Sequence, residues 1–232
     1  MSKMYKIGDV VKIKSGVQDE LTGIFMENWQ GRVIEHSTDA ETGEALVCVE
    51  WDSITARNLP IQYIMMSNQE DADWSTYYLL WSEVEPALAR DTPQEAERVI
   101  RDLDAKYYWQ SLGEQGQRVQ AVVGELDLDD DTAAFKIWRT YLGQSLKFPF
   151  DAEVLTAMQG GHAREGEIVK VIQFTDIDDL LGIMVKVSSK KGIYDHALCD
   201  LSATAEDSPN FLPLSDYCFW YDNTTDYDES EE

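Results

Sequence analysis

Basic residues are scarce in this chain. Nineteen lysines and arginines stand against 44 aspartates and glutamates, for a net charge of −25. A surface of that sign repels phosphate backbones and anionic headgroups, so neither nucleic acid nor a membrane is expected as a partner. It draws in cations without saying where they would sit. Long hydrophobic runs are missing as well. No stretch approaches the roughly 18 apolar residues of a membrane-spanning helix. The opening MSKMYKIGDVV passes from two lysines into strand-like residues with no signal-peptide core. A cytoplasmic setting is expected.

Cysteine and histidine are equally sparse. Cys48, Cys199 and Cys218 are odd in number, widely spaced and form no C-x-x-C. Cys48 and Cys199 lie inside apolar runs and read as buried free thiols in a reducing compartment. His36, His162 and His196 make no H-E-x-x-H pattern and no His/Cys cluster, which argues against zinc. Catalytic signatures are lacking too. There is no G-x-S-x-G, no Gly-rich phosphate loop, and nothing that holds two carboxylates at a fixed separation. The chain is read as a binding protein, not an enzyme.

What is present is a globular composition, 44% apolar with seven Trp and eleven Tyr, on a chain long enough for one or two cores. The first 65 or so residues read as β. Val11 and Ile13 alternate with Lys12 and Lys14; Ala45, Val47, Val49 and Trp51 share one face of EALVCVEW. Short strands with frequent turns suggest a small barrel. Trp74, Tyr77, Tyr78 and Trp81 then form an aromatic segment, read either as a cap over that barrel or as a binding face.

Thr92-Pro93-Gln94-Glu95 is a helix start, with a reciprocal Thr/Glu cap and proline at the first helical position. Ala96, Val99, Ile100, Leu103 and Tyr107 continue at helical spacing, and Gly113 and Gly116 mark an end or a break. A second helix is expected from Asp131 or Thr132 to about Leu146, stopped by Pro149. From Gly166 the chain returns to β through EIVKVIQF, LLGIMVKV and GIYDHALCDL, followed by the aromatic segment DSPNFLPLSDYCFWYDN. The end of the chain holds Asp222, Asp226, Asp228, Glu229, Glu231 and Glu232 with no basic residue, and reads as a disordered acidic tail. One internal echo exists: Gly31 opens a strand leading to TDAETGEALV, and Gly166 opens one leading to TDIDDLLGIMV. The expected organisation is mainly β with helical segments, an α+β chain. Two barrel modules, 1–90 and 131–223, flank a helical linker at 91–130, with the tail at 224–232.

Two acidic segments raise the question of calcium, which takes about six to eight oxygen ligands from carboxylates, carbonyls and water. GELDLDDDTAAFK fails as an EF-hand loop. With Asp127, Asp129 and Asp131 in the first, third and fifth places, Thr132 falls where glycine is needed and Trp138 where the bidentate glutamate is needed. Acids there suit the start of the following helix instead. FTDIDDLLGIMVKV sets Asp176, Asp178 and Asp179 at the turn between two strands. Either they form a solvated hairpin tip or a cation relieves their repulsion. Asp200 in ALCDL is the best further oxygen donor on a second strand.

Several motifs in one order, FPFDAEV, GEIVKVIQF, TDIDDLLGIMVKV, ALCDL, SPN and DYCFWYDN, make the stretch from about Phe135 to Asn223 resemble the cyanobacterial calcium-binding protein family, a bacterial group without EF-hands. The resemblance implies an SH3-like β-barrel that binds Ca²⁺ through acidic side chains and has no enzymatic activity; both barrel modules are expected to be SH3-like. Carried over position by position, Asp176, Asp178 and Asp179 match the family's acidic turn, Asp200 the acid of its C-D-L segment, and Glu153, with Asp151 beside it, the acid after F-P-F. Leu181 stands where an aromatic commonly precedes the glycine, and Asp222 and Asn223 follow a Tyr where Phe is usual; neither change removes an oxygen ligand. If the echo is genuine, Asp39, Glu41 and Glu44 form a second, weaker site. Two readings follow: a calcium buffer or sensor, or an acidic module whose N-terminal barrel and aromatic segment dock an unidentified protein.

Overall fold

A computed structural model of the chain describes residues 5–38, 42–158 and 162–224. It divides into two compact units, Met1–Leu112 and Gly113–Glu232. Each is built on a five-stranded antiparallel sheet.

In the first unit the strands are β1 (Val10–Ile13), β2 (Gln30–Thr38), β3 (Ala45–Trp51), β4 (Thr76–Leu80) and β5 (Val84–Pro86), in the order β4-β3-β2-β1-β5. The expected alternation is obeyed: Val11, Ile13, Val47, Val49 and Trp51 are all buried. Two short helices, α1 (Ser53–Asn58) and α2 (Ile61–Gln69), interrupt the stretch read as continuous β. Asp52 starts α1 by accepting from the Thr55 amide at 2.7 Å, and the Leu59-Pro60 junction separates the two helices. Helix α3 (Pro93–Ser111) packs on both and begins at the expected reciprocal cap between Thr92 and Glu95.

The aromatic segment serves mostly as core. Trp74 is buried and donates its indole N–H to Asp104 at 2.7 Å. Tyr77 stacks on Trp51, and Trp81 stacks on Tyr5. Tyr78 alone among the four is exposed.

The second unit runs α4 (Gly113–Val123), α5 (Asp131–Ser145), β6 (Phe150–Val154), β7 (Ile168–Asp178), β8 (Gly182–Ser189), β9 (Gly192–Ala197), β10 (Leu201–Ala203) and α6 (Phe211–Asp222), with the sheet order β10-β6-β7-β8-β9. Asp130 caps α5 by accepting from the Ala133 amide at 3.0 Å, the capping role expected of that acidic run. Val169, Val171, Ile183, Val185 and Val187 bury one face of the sheet under Trp138, Leu142, Tyr217 and Trp220. Arg118 on α4 grips the buried carboxylate of Asp216 on α6 through two guanidinium nitrogens, each at 2.8 Å. Both termini of that salt bridge are fixed by geometry, so it orients α6 as well as neutralising a buried acid.

The sheets correct the barrel expectation in one respect. Among the described residues each ladder ends in two strands without a further partner, β4 and β5 in one unit and β10 and β9 in the other, so neither sheet closes. The reason is length: β5 and β10 have three residues each and offer too few backbone groups to carry a ladder around.

Gly31 is required by the close approach of two strands. A Cβ at this position would lie 2.0 Å from the Glu50 carbonyl oxygen, a backbone atom that cannot turn aside. Gly31→Ala is therefore expected to destabilise the protein by about 2 kcal/mol or more, read as a lower urea midpoint; an unchanged midpoint would refute this account of β2 and β3.

Candidate metal centre

The β7–β8 turn carries the three acids expected to bind a cation. Asp178 ends β7, and its Oδ1 accepts from the amides of both Leu180 and Leu181 at 2.9 Å. These amides, that of Leu181 foremost, hold its carboxyl below the usual range although the group is exposed. Asp176 accepts from the Ile177 amide at 2.9 Å. Asp179 is exposed and makes no hydrogen bond or ion pair among the described residues. Local hydrogen bonding thus accounts for part of what lets three carboxylates share this turn: two of them are turned onto backbone N–H groups.

Asp200 lies in the connection between β9 and β10, where its own carbonyl accepts from the Leu155 amide at 2.8 Å. Burial, and secondarily the charge of Asp222, push its carboxyl up to about 6. Burial also raises Asp222, at the C-terminal end of α6. The thiol of Cys199 between them is pushed up to about 12 by burial and then by these two carboxylates. Its Sγ lies 3.8 Å from the Leu181 carbonyl oxygen. Asp200 is half-buried and Asp222 is exposed, and the charge of Asp222 reaches Asp200 next to the backbone of the β7–β8 turn.

Two tyrosines of α6 fix that proximity. Tyr221 donates its hydroxyl to the Leu180 carbonyl at 2.5 Å, and the Ile183 amide donates to the Tyr217 hydroxyl at 2.9 Å. Gly182 sits between these contacts with φ +70°. A Cβ there would stand 2.6 Å from the Tyr217 hydroxyl and 3.0 Å from the rings of Phe135 and Tyr221.

Glu153 lies on β6, exposed, in register with Ile168 on one side and Ser202 on the other. Asp151 beside it is occupied by Lys170, at 2.6 Å across the same ladder. Neither is joined to the turn by a described interaction. Among the described residues no three His, Cys, Asp or Glu side chains stand together as a group that could hold a metal ion. The structure brings Asp200 to Asp222 and sets both near the turn's backbone. It does not gather the carboxylates of Asp176, Asp178, Asp179, Asp200 and Glu153 into one cluster. Of the weaker echo site, Asp39 and Glu41 lie outside the described residues, as do the tail acids from Asp226 onward.

Asp222, which the sequence pattern assigns to the acidic tail, ends α6 inside the DYCFWYDN motif. The helical spacing of Tyr217 and Tyr221 is the signal that would have set it on α6.

Comparison with known proteins places the resemblance in this unit. Residues 118–221 match the model of a family described as calcium binding, the CcbP type. The stretch begins within α4 and ends one residue before Asp222. Two solved structures are similar to just under half of the chain. The crystal structure of Anabaena CcbP is 21% identical, covering 45% of this chain and 89% of that one, with a TM-score of 0.37. A calcium-binding protein in its calcium-binding form is 20% identical, covering 47% and 90%, also with a TM-score of 0.37. No curated protein matches the chain. The likeness to the calcium-binding family is thus carried by the second unit, and most of the first unit lies outside it. No described helix is long and apolar enough to cross a membrane.

The acid pair makes a prediction about the metal-free protein. Raised pKa values mean that the folded state holds its Asp200 proton more tightly than the unfolded chain, whose value is near 3.8. The resulting penalty on folding is fully present above about pH 6 and fades as the pH falls toward 4. Asp200→Asn removes the charge. Without calcium it should melt higher than wild type at pH 7.5, and the gap should close by about pH 4. Calorimetric melting at both values checks this; a variant less stable at pH 7.5 would overturn it.

Proposed function

We propose that this protein binds calcium through its second unit, as a buffer or sensor, with Asp200 and Asp222 as the anchoring carboxylates. The observation that carries the reading is the half-buried Asp200, whose proton affinity burial and then the charge of Asp222 raise, beside a backbone turn tied to α6 and within the unit that matches a calcium-binding family. Its environment favours uptake of positive charge. A proton meets that demand at low pH, and a hard divalent cation bound by oxygen meets it at neutral pH.

The residues fit such an ion in chemistry: carboxylates and turn carbonyls supply oxygens, while burial keeps the neighbouring Cys199 thiol protonated and a poor ligand. Asp179 is free to turn inward. Asp176 and Asp178 would each offer Oδ2 while keeping their backbone bonds through Oδ1, and Glu153 is the last candidate. Calcium, when bound, supplies charge neutralisation and a reason for the turn to order around it. That ordering would be the switch in a sensor and would be absent in a pure buffer. The turn is well placed for a switch because α6 is tied to it through Tyr217 and Tyr221. The proposed setting is the cytoplasm, where the three free thiols Cys48, Cys199 and Cys218 stay reduced.

Calorimetric titration with CaCl₂ tests the reading. Wild type should bind at pH 7.5, and the affinity should fall as the pH drops through about 6, because protons compete for Asp200. Asp200→Asn and Asp222→Asn should each weaken binding about tenfold or more. Asp178→Asn combined with Asp179→Asn should weaken it too. No heat with the wild-type chain, or equal binding by wild type and Asp200→Asn, would sink the assignment.

A further inference from the structure

Outside the calcium-binding unit, the first unit carries a separate feature along the free edge of its sheet. A groove of ≈ 600 Å³ runs beside β4, between the loop that follows β1 and the residues Thr42 and Glu44 that lead into β3. Its floor is apolar. Leu46 and Leu80 face each other across the β3–β4 ladder, and Val17 closes one side. Tyr77 and Tyr78 line it as well. The Tyr77 hydroxyl accepts from the Glu20 amide at 3.3 Å, and the Tyr78 hydroxyl donates to Glu35 at 3.1 Å, which sets the direction of an exposed ring.

The rest of the lining is charged, with one sign. Glu20, Glu44, Asp73 and Glu83 all border the groove, and among the described residues no lysine or arginine does. Two of these acids are held in place locally: Asp73 accepts from Ser75 and Thr76, and Glu83 accepts from the Leu80 amide at 2.8 Å. Glu20 and Glu44 are exposed and have no ion-pair partner among the described residues. The negative field is felt inside the groove. Burial first, and then the charges of Asp19, Glu20 and Glu83 against the opposing Glu20 amide, leave the Tyr77 phenol raised.

An aliphatic floor, tyrosine faces and a carboxylate rim together match one kind of side chain: a long apolar stem that ends in a cation. The open edge of β4 adds a line where an extended backbone can lie. A bare metal ion would leave the aliphatic floor and the tyrosines of the groove without a role. A second copy of this chain does not suit it either, because two chains of charge −25 repel each other. We propose that the groove beside β4 docks an extended, lysine- or arginine-bearing segment of a partner protein. The inference is independent of calcium.

The test uses the full-length, isotope-labelled chain in EDTA, followed by amide NMR. The probe is a six-residue peptide of alternating lysine and valine. Its comparators are the same peptide with glutamate for lysine, and spermine. Shifts concentrated at Glu20, Glu44, Tyr77, Tyr78 and Leu80, seen with the lysine peptide alone, are the expected result. Glu20→Gln combined with Glu44→Gln, both exposed and outside the core, should weaken binding about three- to tenfold. Tyr78→Ala should weaken it comparably, and raising the salt from low to about 0.5 M should weaken it further. Shifts spread over the acids of the second unit, an equal response to spermine, or unchanged affinity in the double glutamine variant would each overturn the proposal.

Discussion

The second unit depends on how the side chains of α6 meet the backbone of one turn. Tyr217 and Tyr221 lie one helical turn apart on the same face, and their hydroxyls engage the β7–β8 connection with opposite polarity, one accepting from Ile183 and the other donating to Leu180. Gly182 makes the approach possible, because any side chain there would occupy the space of the Tyr217 hydroxyl. Once these bonds form, the end of α6 has no freedom to drift from the turn. Asp222, the next residue after Tyr221, is carried to Asp200. The acid pair thus follows from packing, and its hunger for positive charge follows from the acid pair.

The same strand order recurs in both units. Numbered within each unit, the sheets read four-three-two-one-five in both cases, with the second and longest strand at the centre of each ladder. The sequence echo between Gly31 and Gly166 falls on the corresponding hairpins, β2–β3 and β7–β8. The two glycines do different things, however. Gly31 is small because Glu50 passes over it, whereas Gly166 adopts φ +76° in open space to turn the chain into β7. The repetition is therefore one of topology and hairpin grammar; the residues at matching places have separate physical reasons.

Local signals were legible wherever one element decided its own form. Alternation marked β1, β3 and β8, and the Thr92–Glu95 pair marked α3. Helix α6 was not legible, for two reasons. It carries apolar and aromatic residues around most of its circumference, so no stripe stands out against a polar face. Its entry residue Asn210 is also spent elsewhere: the side chain brackets the backbone of Lys147, accepting from its N–H at 2.7 Å and donating to its carbonyl at 3.1 Å, and gives no cap to the helix. Helices α1 and α2 are six and nine residues long, too short for a period to show above the noise of a strand-like context. The acidic turn was visible as a feature, while the partner of Asp200 was not. That partner is supplied by a helix from elsewhere in the sequence, and tertiary packing alone brings the two together.

Asp178 and Asp200 show why a count of acids is a poor guide to where a cation would go. Both belong to loops at the same end of the second sheet, yet their environments act in opposite directions. Two amides hold Asp178 ionised, so much of the negative charge at the turn is already answered by the protein's own dipoles. Asp200 has burial and a like charge instead, and both make its ionised form unfavourable. A cation gains most where charge is least compensated, because the attraction it adds is then not offset by hydrogen bonds that must be shared or given up. On that argument the proposed calcium site would rest chiefly on Asp200 and Asp222. The turn, although it carries more carboxylates, would then serve to complete the oxygen shell.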